Sequence, residues 1–393
     1  MNKIDELIQQ YCPDGVEYVK LGDVCKTLQK GTLTTKELVE PDGNNYPVIN
    51  SGRELYGYYP QFNNEGDAIT VAARGEYAGY ITYFSERFWA GGLCYPYRSS
   101  SSALSTKFIF YYLKSRQKYI RNTLVAEGSI PALNKGTLEQ FEIPLPPLPV
   151  QEAIVNILDR FAVYTAELQA ELQARQQQYN YYRDTLLSFE GREDVQWKKL
   201  GEVASIKTGR RFVRTDIRES GVPCFHYGDI YTYYGLTATK TKGYLDAELA
   251  SKLRFAQPND VVVVCAGEND MDIGVGVAWL GDEPAVIHDA CCILHHEQNP
   301  RYISHFLRTH NYHLQMKRYV KNGKISSLPA SGLAEALIPI PSLEEQEKIA
   351  NILDHFDTLV NDLSQGLPAE IEARQQQYEY YRDQLLTFKR KEA

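Results

Sequence analysis

At 393 residues, with 43% hydrophobic and 23% charged residues, the chain has the make-up of a folded protein long enough for two separate cores. A net charge of −8 excludes a uniformly basic nucleic-acid binder, and no apolar run approaches the roughly 18 residues a membrane span requires. Seven cysteines, an odd number without C-x-x-C spacing, argue against a disulfide framework and suit a reducing cytoplasm.

In chain order, Met1–Gln10 reads as a short amphipathic start rather than a secretory leader. Val16–Leu148 reads as a globular α/β unit, with strand-like runs at Asp67–Ala73 and Tyr80–Phe84 punctuated by Gly, Asn and Pro. It closes with IPLPPLP (Ile143–Pro149), which cannot be helix and leads stiffly into one. A long helix follows. Gln196–Pro341 forms a second globular unit with a buried-strand candidate at Asp260–Ala266, closed by IPIPSL (Ile338–Leu343) and a second long helix. The expected domain limits are 1–149, 150–190, 191–343 and 344–393.

The two halves repeat each other. QEAIVNILDRF from Gln151 returns as QEKIANILDHF from Gln346, and ARQQQYNYYRDTLLSF (Ala174–Phe189) returns as ARQQQYEYYRDQLLTF (Ala373–Phe388). Upstream, YVKLGDV (Tyr18–Val24) is echoed by WKKLGEV (Trp197–Val203). A period that long is a duplicated domain pair rather than a solenoid. The copies agree in their helical ends and disagree in between, so the frame is fixed and what it presents is varied.

On the first helix Ile154, Ile157, Phe161, Tyr164 and Leu168 step by threes and fours, the rhythm of a coiled-coil seam, which Tyr179, Leu186 and Phe189 continue. On the second, Ile349, Ile352, Phe356, Leu359, Leu363, Leu367, Tyr378 and Leu385 follow suit, with a four-residue insertion near Gly366 and Pro368 that predicts a kink or break. About 40 residues at ~1.5 Å per residue give a rod of roughly 60 Å. Two such helices in one chain most simply pair antiparallel. The predicted fold is therefore α+β: two globular α/β domains in a pseudo-two-fold arrangement, separated by an antiparallel coiled coil.

Charge is unevenly spread. Gln196–Pro258 holds 11 Lys/Arg against 6 Asp/Glu, and Arg301–Ser326 holds 6 basic residues and no acidic one. The helical stretch Val150–Asp194 holds 8 acidic against 4 basic residues. Basic faces on globular parts and an acidic frame are compatible with a local DNA-binding field. The 29 tyrosines suit wet recognition surfaces, although sheets and helix seams also absorb them.

Catalytic signatures are missing. There is no G-x-x-x-x-G-K-[ST] loop and no strand-linked G-x-G-x-x-G. Asn299-Pro300-Arg301-Tyr302 resembles the N-P-P-Y of adenine methyltransferases, but Arg301 stands where that motif has its second Pro. A helix N-cap explains it and its counterpart Ser105-Thr106-Lys107-Phe108. Asp14, Glu17 and Lys20 have the wrong spacing for a nuclease cluster. His295, His296, His305, His310 and His313 cluster in sequence, but no Cys or Asp completes a metal set, and a helix face near a polyanion is the better reading.

The combination V-E-Y-x-x-L-G-D-V, P-L-P-P-L-x-x-Q-E-x-I-x-x-I-L-D-x-F and Y-x-Y-Y-R-D-x-L-L-x-F, each recurring in some form in the second half, resembles the specificity subunit of a Type I restriction-modification enzyme over nearly the whole chain. The resemblance implies two target-recognition domains, each reading half of a split double-stranded DNA sequence, and two helices forming the spacer. It further implies two methyltransferase subunits docked on the frame and restriction subunits held through them. S-adenosylmethionine, Mg²⁺ and ATP then belong to the partners, and this chain, non-catalytic and cytoplasmic, holds no cofactor. The echo Thr165–Leu168 then Gln169–Leu172 resembles the repeat whose copy number sets spacer length in that family. The runner-up readings are a non-DNA coiled-coil scaffold and a self-contained DNA-modifying enzyme.

Given that resemblance, DNA contacts are expected from cations and small polar loops. In the first domain these are Lys30, Thr32, Asn50, Ser51, Arg53, Arg74, Tyr77, Ser129 and Lys135. In the second they are Lys207, Thr208, Arg210, Arg211, Arg214, His226, Tyr227, Asp229, Tyr231, Tyr233, Lys240, Lys242, Lys321, Asn322 and Lys324. The K-G and T-G loops, Lys30-Gly31 and Thr208-Gly209, occupy corresponding positions after the L-G motif.

Overall fold

The computed structural model describes residues 3–267, 273–321, 323, 325–362 and 365–392, with the side chains of 3–5 and 231 left aside. The chain divides into two compact units, one of Met1–Glu167 with Ala373–Ala393 and the other of Leu168–Glu372. The two long helical segments thus supply residues to both.

Unit 1 is built on an antiparallel sheet in the order Cys25–Thr27, Cys94–Ser99, Ala68–Ala72, Ile81–Phe84. The predicted run at Asp67–Ala73 is its fully buried strand, every side chain from Ala68 to Ala72 being interior. A second sheet places Tyr46–Ile49 between antiparallel Gly57–Tyr59 and parallel Trp89–Ala90. The IPLP stretch is itself a strand, Glu142–Leu145, paired antiparallel with Glu17–Lys20. Proline is tolerated there because the pair has only two strands.

Unit 2 repeats this plan. Ala204–Thr208, Cys291–His296, Val261–Val264 and Gly276–Trp279 form the same antiparallel order, extended by a parallel strand at Thr237–Ala238. Gly243–Leu245, Val222–Phe225 and Ala285–Ile287 form the second sheet, extended by Phe255–Ala256. Gln196–Lys199 pairs with Leu337–Ile340 as the closing ladder.

The first long helix is continuous over Leu148–Leu186, so it begins inside the proline-rich stretch expected to be non-helical, with Pro149 in its first turn, where no N–H is needed. Its partner is interrupted into Leu343–Asn361 and Leu367–Leu385, as the Gly-Leu-Pro sequence predicts. A Cβ on Gly366 would lie 2.5 Å from the Thr358 carbonyl oxygen and 2.8 Å from those of Leu359 and Asp362, so glycine is required where the chain folds under the last turn. Pro368 sits in the first turn of the next helix, where its missing N–H costs nothing.

Within each unit the paired helices run antiparallel. In unit 1 Phe161 stacks on Tyr381 with ring centroids 5.8 Å apart, while Arg374 lies 5.3 Å over the Tyr164 ring. In unit 2 Tyr182 stacks on Phe356 at 5.3 Å, and Arg192 meets Glu345 at 3.0 Å.

The seam itself differs from simple heptad counting. Ile154, Leu168, Tyr179, Ile349 and Leu385 are buried, and Ile157, Phe161, Leu186, Phe356 and Tyr378 are half-buried. Ile352, predicted to be a seam residue, is 48% exposed, and its neighbour Leu353 is fully buried instead. The reason is that the helix packs on the sheet domain as well as on its partner helix. Leu353 and Ile349 share one core with Val261–Val264, and Ile154 and Leu158 share one with Ile69 and Phe108. Leu363 lies outside the described residues.

Two repeated side chains seat each domain on its helix. Gln151, fully buried, accepts the Ser105 N–H at 2.9 Å and donates to the Ala103 and Pro146 carbonyls at 2.8 and 2.6 Å. Gln346, equally buried, accepts the Asn299 N–H at 3.0 Å and donates to the Pro341 carbonyl at 2.9 Å and to Gln298 Oε1 at 2.8 Å. Two turns on, Asp159 accepts from Lys107 Nζ at 2.7 Å and the Tyr111 hydroxyl at 2.6 Å. Its counterpart Asp354 accepts from Arg301 at 2.5 Å and binds His305 Nε2 at 2.8 Å.

Candidate nucleic-acid interface

In each unit the second sheet hands the chain to the main sheet through a three-residue turn, Gly91–Leu93 in unit 1 and His288–Ala290 in unit 2. The two turns are equivalent by register. Ile49 and Ala90 are parallel partners and the Gly91 N–H donates to the Ile49 carbonyl at 2.7 Å. Phe225 and Ile287 are parallel partners and the His288 N–H donates to the Phe225 carbonyl at 3.2 Å. A loop from the first strand of the main sheet crosses this point in both units. The Gly31 N–H donates to the Ala90 carbonyl at 2.9 Å, and the Arg210 N–H to the Ile287 carbonyl at 3.0 Å.

That register places Gly31 opposite Arg210, so the two loops align one residue out of step with the K-G/T-G match expected from sequence. Each loop still needs a glycine at the crossing. A Cβ on Gly31 would meet the Trp89 ring at 2.3 Å, and one on Gly209 would meet the His288 and Ile287 carbonyl oxygens at 2.2 and 2.3 Å.

Several predicted contact residues gather at the unit 1 turn. Lys30 Nζ donates to the Gly92 carbonyl at 2.9 Å, and the Leu93 N–H donates to Asn50 Oδ1 at 2.9 Å. Thr32 Oγ1 lies beside Gly92, and Arg74 follows Ala73, whose N–H donates to the Leu93 carbonyl at 2.8 Å. Ser51 and Arg53 continue from Asn50 on a loop where the exposed Arg53 pairs with Glu54 at 3.6 Å. Tyr77 is exposed beyond Arg74, and the exposed Ser129 lies in the turn that reaches the same strand edge through Pro131 and Ala132. Lys135 is drawn away, paired with Glu139 at 3.3 Å on a short helix against Gly22.

At the unit 2 turn a cleft is lined by Arg211, Phe212, Arg214, His226, Tyr227 and His288. The His226 and His288 rings are 4.9 Å apart, and Phe212 stands edge-on to His288 at 5.0 Å. Burial, then the neighbouring His288, holds the His226 imidazole below its ordinary range against the pull of Asp229. Burial likewise holds His288 low, against Asp289 and a hydrogen bond to the Phe212 backbone. Both rings are therefore neutral bases at neutral pH. Arg211 and Arg214 are exposed, with no ion pair among the described residues, and outnumber the one lining carboxylate, Asp289, so the rim is cationic on balance and the floor is aromatic.

The remaining predicted residues of unit 2 are dispersed. Asp229 is buried and pairs with Lys242 Nζ at 3.2 Å, which also lies 5.2 Å from the Tyr233 ring. Arg210 donates to the Lys252 carbonyl at 2.8 Å, Thr208 Oγ1 lies 3.9 Å from Cys292 Sγ, and Lys207 and Lys240 are exposed. Lys321 pairs through its backbone with Ser327, matching the Ala126–Ala132 ladder of unit 1. Asn322, Lys324 and the side chain of Tyr231 lie outside the described residues.

The sequence reading missed His288, whose only early signal is a three-residue spacing before Cys291 that repeats that of Gly91 before Cys94. The histidine cluster is corrected. His305 is fully buried between Asp354 and the Tyr179 hydroxyl, 3.2 Å from its Nδ1, and His295 binds Asp260 at 2.7 Å, so no common face forms. Asn299 and Ser105 are helix N-caps, Asn299 accepting from the Arg301 and Tyr302 N–H groups.

Residues 13–175 and 192–373 each match the family described as Type I restriction modification DNA specificity domain. The chain is 31% identical over 406 residues to the Type I restriction enzyme EcoR124I/EcoR124II specificity subunit of Escherichia coli, covering 96% of this chain and 95% of that one. A crystal structure of the S subunit of the Type I restriction-modification system of M. genitalium shares the fold with TM-score 0.60 at 19% identity, over 95% of this chain and 96% of that one. A chain from a study of complex assembly and conformational transition of the type I R-M system does so at 0.61 and 16% identity, over 95% and 98%. With a match in both halves and a relative over its whole length, the chain belongs to the Type I restriction-modification specificity subunits.

Proposed function

We propose that unit 1 and unit 2 each read one half of a bipartite, asymmetric DNA target and that the helical frame presents them to two copies of one methyltransferase partner. The observation that carries this reading is the pairing of one topology with two unlike, cation-rimmed turns. A shared frame with Lys30, Thr32 and Asn50 in one copy and Arg211, Arg214 and His226 in the other suits two different half-sites.

Two equivalent docking surfaces follow from the duplicated helix ends. Tyr181 and Tyr380 are the same residue of the repeat and are 67% and 62% exposed. Each stands edge-on to the next tyrosine, at 5.6 and 5.4 Å. An exposed aromatic side chain kept in both copies suits an anchor for one partner bound twice. Restriction subunits would join through that partner, and S-adenosylmethionine, Mg²⁺ and ATP would be held there. Among the described residues no helix is long and apolar enough to cross a membrane, and the seven cysteines are buried and unpaired. Both facts support a cytoplasmic complex.

The test is single-molecule methylome sequencing of cells expressing this chain with the methyltransferase encoded beside it. A split, asymmetric motif that disappears without the chain is the expected result. An assembled complex that yields no chain-dependent motif would favour a scaffold that binds proteins alone.

A further inference from the structure

Asn50 and His226 occupy one and the same place in the two units. Each is the first residue after the second-sheet strand whose last residue has a parallel partner, Ala90 for Ile49 and Ile287 for Phe225. Each faces the equivalent turn. The surrounding backbone is held by the same bonds in both copies, whereas the side chain at this place is an amide in one and an imidazole in the other.

Each side chain is fixed by accepting one backbone N–H, from the facing turn in unit 1 and from the start of its own following helix in unit 2. The Leu93 N–H donates to Asn50 Oδ1 at 2.9 Å, so the amide oxygen faces inward and the Nδ2 amino group is left over. The Gly228 N–H donates to His226 Nδ1 at 3.3 Å, so in the neutral ring the proton resides on Nε2. Burial and His288 favour that neutral form. Neither Nδ2 of Asn50 nor Nε2 of His226 has a hydrogen-bond partner among the described residues, and neither is sealed in the interior. Both units therefore offer one oriented nitrogen donor, flanked by exposed cations, Lys30 in the first and Arg211 and Arg214 in the second.

We propose that Asn50 and His226 are equivalent specificity-determining residues, each donating a hydrogen bond to an acceptor atom on the edge of a base in its half-site. The acceptors available in a major groove are purine N7, guanine O6 and thymine O4, and a donor rejects the amino groups of adenine and cytosine. The flanking cations engage phosphates and set register without discriminating sequence. This inference rests on the DNA reading proposed above.

The experiment uses the full chain assembled with its methyltransferase partner and reads motif and extent of methylation together. Asn50→Asp keeps an oxygen for the Leu93 N–H and removes the donor. His226→Asn transplants the first unit's side chain into the second, and His226→Ala removes the donor outright. Each variant is expected to relax or change one base position in one half of the motif, to lower methylation of the original motif by about tenfold at limiting enzyme, and to leave the other half unchanged. Thermal unfolding matching the parent identifies the effect as recognition rather than loss of fold. An unaltered motif in folded Asn50→Asp and His226→Ala complexes would overturn the assignment, as would an equal loss at all sites with no change in base preference. A parent complex that confers no split motif would instead overturn the DNA reading itself.

Discussion

The two units solve one mechanical problem with different chemistry. In unit 1 the helix carboxylate Asp159 is met by a lysine and a phenol, and in unit 2 Asp354 is met by a guanidinium and an imidazole. Position is kept and chemistry is exchanged, the same pattern seen at Asn50 and His226. The difference has a chain-wide counterpart, because all eight histidines lie in unit 2 and none in unit 1.

The largest test removes the carboxylates. Asp354→Ala leaves Nε2 of the fully buried His305 ring without its acceptor, while the Arg301 guanidinium keeps Glu347 and Asn351, and is expected to cost unit 2 about 3 kcal/mol. Asp159→Ala is expected to cost unit 1 less, about 1–2 kcal/mol, because the Lys107 side chain is 33% exposed and recovers water. Peptide-resolved hydrogen exchange separates the two losses, and equal losses would mean the two contacts are interchangeable after all.

A comparable effect distinguishes the true seam from the counted one. Leu353→Ala is expected to lose about 2–4 kcal/mol and Ile352→Ala no more than about 0.5 kcal/mol, read by urea unfolding. The reverse order would restore the heptad prediction.

Acid sharpens the contrast between units. Burial lowers the pKa of His226, His288, His296, His305 and His313 from 6.5. A lowered folded-state pKa means the unfolded chain binds protons first, so the contribution is complete above 6.5 and is lost as pH falls below it. Hydrogen exchange, corrected for intrinsic rates, should show unit 2 opening as pH falls below about 6.5 while unit 1, which has no histidine, holds over the same range. His305→Gln should reduce that slope without moving unit 1.

The smallest expected change is at the exposed pair Arg390–Glu142 of unit 1. Glu142→Gln should shift stability by no more than about 1 kcal/mol, less at high salt, as judged by thermal melting.

What could be read from the sequence was whatever repeats. The duplicated Q-E-x-I-x-x-I-L-D and A-R-Q-Q-Q-Y runs marked the helices, and Gly366 with Pro368 marked the break. What could not be read depended on partners distant in the chain. Ile352 and Leu353 are both apolar, and only packing against Val261–Val264 decides between them. The Gly91 and His288 turns share almost no residues, and their equivalence lies in backbone bonds to Ile49 and Phe225. His305 reads in sequence as part of a helix face turned to a polyanion because its acceptor, Asp354, is 49 residues away.

The glutamines at Gln151 and Gln346 bear on how such a molecule changes over generations. Gln151 grips its domain entirely through main-chain atoms, those of Ala103, Ser105 and Pro146, and Gln346 does so at Asn299 and Pro341 while reaching one side chain, that of Gln298. A clasp made to backbone is blind to the side chains it holds. A domain of altered sequence that keeps the local path of the chain keeps these bonds, and only the side-chain contacts at Asp159 and Asp354 have to be matched anew. The loops that each domain presents can then diverge between the two copies while these anchor points on the helices stay the same.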